Sequence, residues 1–162
     1  MVKKEDVNVV AITNKEGCFD LQFRKDVRKE RLSSPTYYRW KAQFVIINTP
    51  EVLEKIKNTL GCGRIHLIKN QGRYSVQNVS ELKDIIIPYF NTNRLTDKKK
   101  KDFDLWSKAV AIISKNKGKK FSVWEKKDFQ SLIDIHKSSI KFKDKPKDSK
   151  WIEEAESLVK SL

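Results

Sequence analysis

Residues 9–19 read VVAITNKEGCF: an apolar, helix-compatible run that closes on an acid and a glycine, Glu16-Gly17, and passes at once into an alternating segment. The period of the apolar residues changes at that pair. Upstream, residues 4–14 carry the spacing of a Val-rich helix. Downstream, Phe19, Leu21 and Phe23 alternate with Asp20, Gln22 and Arg24, which predicts a strand over 19–25 with one dry and one wet face.

A charged, turn-prone loop over 26–36 leads to a second alternating strand, 37–47. Tyr38, Trp40, Ala42, Phe44 and Ile46 face one way, and Arg39, Lys41 and Gln43 the other. Thr49-Pro50-Glu51 then opens a helix, with Thr at the cap and Pro in the first turn, and Gly61 ends it after Val52, Leu53, Ile56 and Leu60 at helical spacing. Strands are predicted over 63–68 and 73–78, joined by a Lys69-Asn70-Gln71-Gly72 turn. Ile65, Leu67, Tyr74 and Val76 share the dry face, leaving Arg64, His66, Arg73, Ser75 and Gln77 on the wet one.

The remainder reads as helical. Ser80 is placed to cap a helix through Phe90 that presents Leu82, Ile85, Ile86 and Tyr89. Four lysines, Lys98, Lys99, Lys100 and Lys101, fall at a loop-to-helix junction ahead of a helix running from Asp102 to about Lys115. A helix over 123–140 follows, with Trp124, Phe129, Leu132, Ile133 and His136 directed inward. The expected organisation is one domain over 1–142, then a linker and an amphipathic tail helix within 143–162.

A chain of 162 residues with 38% hydrophobic content can bury one core. Its formal charge of +14, from 35 Lys and Arg against 21 Asp and Glu, suits a polyanionic partner, because each neutralised phosphate releases condensed counterions. No apolar run approaches the roughly 20 residues that span a bilayer, so no membrane partner is expected. Cys18 and Cys62 are too few for a disulfide framework and read as small apolar fillers in a reducing compartment. The combined wet faces carry Asp20, Gln22, Arg24, Arg39, Lys41, Gln43, Arg64, His66, Arg73, Ser75 and Gln77, a set suited to base edges and phosphates, with Asp20 its one acid. The 98–101 lysines add a phosphate-gripping knob.

The element order α-β-β-α-β-β-α-α-α is accompanied by FVIIN at 44–48, LGCGRI at 60–65, the Tyr74 strand, and lysines followed by Asp102-Phe103 and Trp106. With the 9–19 stretch, these motifs make residues 7–140 resemble a single module of the LAGLIDADG homing endonuclease family. The resemblance implies an α+β fold with an αββαββα core, a four-stranded antiparallel saddle sheet over the DNA major groove, and added C-terminal helices. It implies a homodimer paired through the signature helices that hydrolyses double-stranded DNA with Mg2+. In that reading Glu16 is the metal ligand, beside the carbonyl of Lys15 or Gly17. Asn48 stands where the family places a water-positioning Gln, and Lys98 or Lys99 where a basic residue supports the transition state.

The signature departs from the family at four positions. Ala11 replaces the first glycine, Thr13 and Asn14 the usual apolar-acid pair, and Lys15 a small residue. Two Lys15 ammonium groups buried near a two-fold axis would be costly. A second reading therefore stands beside the first: a catalytically idle, endonuclease-derived binder of structured RNA, as an intron maturase or a component of an organellar ribosome or other ribonucleoprotein. Heavy use of Lys, Ile and Asn, with no targeting peptide at MVKKEDV, suggests an organelle-encoded product of a mitochondrion or chloroplast.

Overall fold

The computed structural model describes residues 7–27, 36–143 and 152–162. Its first helix, α1 (Val9–Glu16), is capped by Asn8, whose Oδ1 accepts from Ala11 N at 3.0 Å. The predicted start at residue 4 lies outside the described residues, and the helix runs two residues beyond the expected end at Asn14. β1 (Gly17–Val27) follows without a loop. That junction needs a glycine for space: a Cβ on Gly17 would sit 2.6 Å from Thr13 Cγ2 and 2.8 Å from Thr13 O. The acid-glycine pair is thus where the helix ends and the strand leaves against its last turn.

β2 (Thr36–Asn48), α2 (Pro50–Leu60), β3 (Arg64–Ile68) and β4 (Gln71–Val76) complete the first half. Gly61 ends α2 in the left-handed region at φ 76°, which costs a glycine nothing. The four strands form one antiparallel sheet in the order β1-β2-β4-β3. The β3–β4 hairpin is tighter than predicted: Ile68 pairs with Gln71, so the turn is Lys69-Asn70 alone, with Lys69 at φ 55°.

Helices cover the dry face. α3 (Val79–Glu81), a π-helical segment (Leu82–Ile86) and α4 (Ile87–Thr92) make one continuous rod. The wide turn precedes Pro88, which has no N–H to donate and whose ring would clash with the carbonyl four residues back. The cap is Asn78 rather than Ser80; its Oδ1 accepts from Ser80 N and Glu81 N at 2.9 and 3.2 Å. α5 (Asp97–Lys115) begins five residues earlier than Asp102, so the lysine run occupies its first turns. α6 (Lys126–Ser139) starts after a 3-10 turn (Phe121–Val123), which leaves Trp124 before the helix and only half-buried. α7 (Ile152–Lys160) docks on α6 through a 2.7 Å Lys137–Glu156 ion pair, and its Ala155 and Val159 join the same apolar core.

Phe19 organises that core. Its ring lies 5.2 Å from Phe44, 5.2 Å from Phe103 and 5.0 Å from Trp106, which ties β1 to β2 and α5. Each such side chain contributes about 1.5–3 kcal/mol by leaving water. Leu67 is the exception among the predicted dry-face residues. It shares that face by register, opposite Gly72, but is 70% exposed, because the hairpin reaches past the helices.

Candidate nucleic-acid interface

Strand register arranges the wet-face residues into rows. From the outer end of β1 and β2 inward, Arg24 lies opposite Arg39, Gln22 opposite Lys41, and Asp20 opposite Gln43. Next come Cys18, Val45, Ser75 and Arg64, and then Ile47, Arg73 and His66. Gln77 lies just beyond β4 and is exposed. Most of the predicted polar set is therefore brought to one surface, although Ile47, at 50% exposure, and Ile68, at 59%, bring apolar side chains to it as well.

Two expected contact residues are covered. Ser75 and Gln43 are 3% and 8% exposed, since both lie on central strands flanked by longer side chains. Gln43 Nε2 donates to Asp20 Oδ2 at 2.8 Å, and Gln43 Oε1 is buried without a partner. The carboxylate can only accept, so it fixes which end of the amide faces it.

At the inner end of these rows the chain forms a corner. Asn48 Nδ2, at the end of β2, donates to Glu16 Oε2 at 2.6 Å, and Asn48 Oδ1 accepts from Thr49 N at 2.7 Å. Lys99 reaches from the first turn of α5 to donate to Gly17 O, the carbonyl next to Glu16. Glu16, Lys99, Arg73 and Ile47 all line one cleft of about 470 Å³. Of the alternatives at the basic position, Lys99 is in the corner, whereas Lys98 is exposed and does not line the cleft. Lys100 is engaged in a 2.6 Å ion pair with Asp104, and Lys101 is exposed. The knob of four equivalent lysines is thus resolved by the helix into separate directions.

The edge of β1 explains how this corner is held. Successive outward carbonyls of an edge strand are open acceptors. Here Gly17 O takes Lys99, Phe19 O takes Lys143, and Leu21 O takes His136 Nδ1 at 2.9 Å, which must carry the proton because a carbonyl only accepts. Lys143 also donates to Asp102 Oδ1 and Oδ2 at 3.0 and 2.8 Å. Asp102 is 1% exposed, and burial pushes its carboxyl above the usual range against the pull of the Lys143 charge. Neither Asp102 nor Lys143 was among the candidate residues. The available signal was a carboxylate one helical turn after Lys99, next to the core residue Phe103.

The sequence model of LAGLIDADG endonucleases matches residues 13–110, more than half of the chain. The chain belongs to the LAGLIDADG endonuclease family. The homing endonuclease I-TnaI shares its fold at TM-score 0.69 and 17% identity, over 98% of this chain and 99% of that one. The archaeal intron-encoded homing endonuclease I-Vdi141I, solved in complex with DNA, matches at TM-score 0.72 and 20% identity, over 94% and 92%. The LAGLIDADG meganuclease I-AabMI, bound to uncleaved DNA, is 27% identical at TM-score 0.63, over 79% of this chain but 42% of its own. No curated protein matches the chain. In this LAGLIDADG module α1 carries the signature, and its Ala11 and Lys15 are exposed on the face turned away from the buried Val9 and Thr13.

The family's metal dependence can be set against the donors present. Among the described residues no three His, Cys, Asp or Glu side chains cluster as metal ligands. Of the carboxylates lining the cleft, Asp102 is paired with Lys143, while Asp20 and Glu16 each accept from one amide, of Gln43 and Asn48, and of these two Glu16 is the more exposed. Glu16, exposed and with Oε1 uncommitted among the described residues, is a hard oxygen donor suited to Mg2+. This LAGLIDADG module thus offers a single carboxylate donor at the corner rather than a complete set of metal ligands among the described residues.

Proposed function

We propose that this protein is a site-specific double-strand DNA endonuclease that acts as a pair of copies joined through α1, with the two Glu16 carboxylates holding Mg2+. The observation that carries this reading is the meeting of Glu16, Asn48 and Lys99 at the inner end of the cationic sheet face. Asn48, 32 positions away, would have little reason to bond the exposed Glu16 carboxylate for stability alone, because exposed polar contacts contribute little, and Lys99 is brought to the adjoining carbonyl of Gly17 from 82 positions away.

Each residue then has a defined task. Asn48 orients the Glu16 carboxylate through its amide N–H. Lys99, committed by one donor to Gly17 O, directs its remaining charge toward a phosphate in the corner. Arg24, Arg39, Arg64 and Arg73 supply phosphate and guanine contacts along the rows. The chemistry that a bound divalent cation supplies at Glu16 is Lewis-acid neutralisation of developing charge and an acidified water. Asp20, half-buried and bonded by Gln43 through Oδ2 alone, presents an acceptor to the groove, which suits the exocyclic amine of cytosine or adenine and rejects the acceptor edges of guanine and thymine.

The test is selection of a target from a randomised duplex library, followed by cleavage of it by wild type and Glu16→Gln. Wild type should cut with magnesium, while the variant should bind within about threefold of wild type and lose cutting by at least a hundredfold, the scale of losing one catalytic electrostatic group. Undiminished cutting by Glu16→Gln would remove this carboxylate from the mechanism. The RNA-binding alternative gains no separate observation, and preferential capture of RNA by the wild-type chain would restore it.

A further inference from the structure

Away from the corner, the outer end of β2 and the connection from α5 to α6 enclose a second cleft of about 460 Å³. Tyr38, Trp40, Phe121 and Trp124 form its aromatic walls, and Lys119 and Lys120 stand among its cations. No acidic side chain lines it among the described residues. Its volume falls in the range of small-ligand sites, about 300–1,000 Å³.

Three features distinguish it from a packing gap. Trp40 is 6% exposed, yet its indole Nε1 is buried with no hydrogen-bond partner. A buried indole normally finds an acceptor, and Trp40 is one of the residues lining the cleft, so a group bound there that reached Nε1 would satisfy a donor left without a partner. Phe121 and Trp124 stand nearly perpendicular at 5.2 Å, and Trp124 is fixed by donating to Lys119 O at 3.2 Å. Both rings are only partly buried, so each retains stacking surface. Lys119 and Lys120 are exposed and make no ion pair among the described residues.

Fixed aromatic faces, an unused N–H donor, cations and no acid together suit a ligand that is both aromatic and anionic. We propose that this cleft binds a nucleotide unit, with its base against Phe121 and Trp124, its phosphate toward Lys119 and Lys120, and the Trp40 N–H donating to one of its acceptors. The ligand is a free mononucleotide or an unpaired nucleotide of a strand. A base-paired duplex on the sheet is not the ligand, because Tyr38 and Trp40 lie on the opposite face of β2 from Lys41 and Gln43. Arg39 lines the cleft from the wet face, so the two surfaces meet at the outer end of β2.

The experiment titrates the full chain, in chelator and so without cleavage, with a labelled eight-residue oligothymidylate, with AMP, and with a blunt duplex. The oligothymidylate should bind saturably and quench tryptophan emission. Competition by AMP would identify the single nucleotide as the recognised unit, and binding without such competition would identify the unpaired strand; both uphold the site. Trp124→Ala should weaken oligothymidylate binding about tenfold, the scale of one base stack. Joint Lys119→Gln and Lys120→Gln should lower the slope of log K against log salt by about 1.4, roughly 0.7 for each phosphate contact on a single strand. Trp40→Phe removes the unpaired donor together with part of a buried ring, so it should lower the urea midpoint through the cavity left and, under conditions where the variant is folded, weaken oligothymidylate binding severalfold while leaving duplex affinity unchanged. Binding within twofold of wild type in all three variants, or no binding of oligothymidylate at all, would overturn the proposal. Neither result touches cleavage at Glu16, which is read on a duplex with metal.

Discussion

Lys143→Met is the most informative perturbation of the stability of this fold. Lys143 sits beyond the last helical turn of the 126–142 segment, yet its ammonium places all three donors on two carboxylate oxygens of Asp102 and on Phe19 O. The Asp102 side chain is 2% exposed and that of Lys143 is 19%. Removing the cation leaves a carboxylate that burial already disfavours with no close counter-charge except the more distant Lys99. Breaking a buried pair in this way costs about 3–5 kcal/mol, and the partial exposure of Lys143 puts the value near the lower limit, about 3 kcal/mol. For a chain of this size that lowers the melting temperature by about 6–12 °C. Urea and thermal denaturation followed by circular dichroism at neutral pH would measure it. Asp102→Asn combined with Lys143→Met should recover more than half of the loss, since the charge left behind is what costs. A single variant within about 1 kcal/mol of wild type, or a double variant as unstable as the single, would refute the reasoning.

Three further expectations follow from the same geometry. Because burial raises Asp102 in the folded state, its contribution is fully present below the unfolded carboxylate value and is lost as pH rises through the raised folded value; urea midpoints across pH should therefore decline over that window in wild type relative to Asp102→Asn. Gly17→Ala should destabilise by about 1–3 kcal/mol, since its Cβ would meet the Thr13 backbone and methyl and neither can yield without moving α1 against β1; an unchanged denaturation midpoint would contradict this. Asp20→Asn frees Gln43 to rotate and offers a donor to the groove, so the base preference at one position of a selected target should relax away from cytosine and adenine, while an identical selected profile would remove Asp20 from readout.

The local parts of the fold were legible in the residues. Alternation in 19–25 and 37–47 placed Phe19, Leu21, Phe23, Trp40 and Phe44 in the core correctly, because the faces of a strand follow from a two-residue period. Gly61 ended α2 where expected, because the left-handed turn is a property of one residue. Boundaries that depended on competing caps were less legible. Asn78 took the role assigned to Ser80, since either side chain could satisfy the first free N–H groups, whereas α5 began at Asp97 rather than Asp102 with no side-chain cap, its entry held from 82 residues away by Asn14 Oδ1, which accepts from Thr96 N. The candidate corner was named by family resemblance, while its internal geometry was not readable.

By itself, then, the sequence determined the periods, the change from helix to strand around Glu16-Gly17, a basic wet face and the family to which the chain belongs. The tertiary structure alone decided which of four neighbouring lysines reaches the corner, that Gln43 and Ser75 are covered, and that Asp102 and Lys143 hold the edge of β1. The physical reason is separation along the chain. Periodicity and capping act over a few residues, whereas the contacts between Glu16 and Asn48, Lys99 and Gly17, and Lys143 and Asp102 join positions 32, 82 and 41 residues apart, and these form only once the sheet and helices have packed.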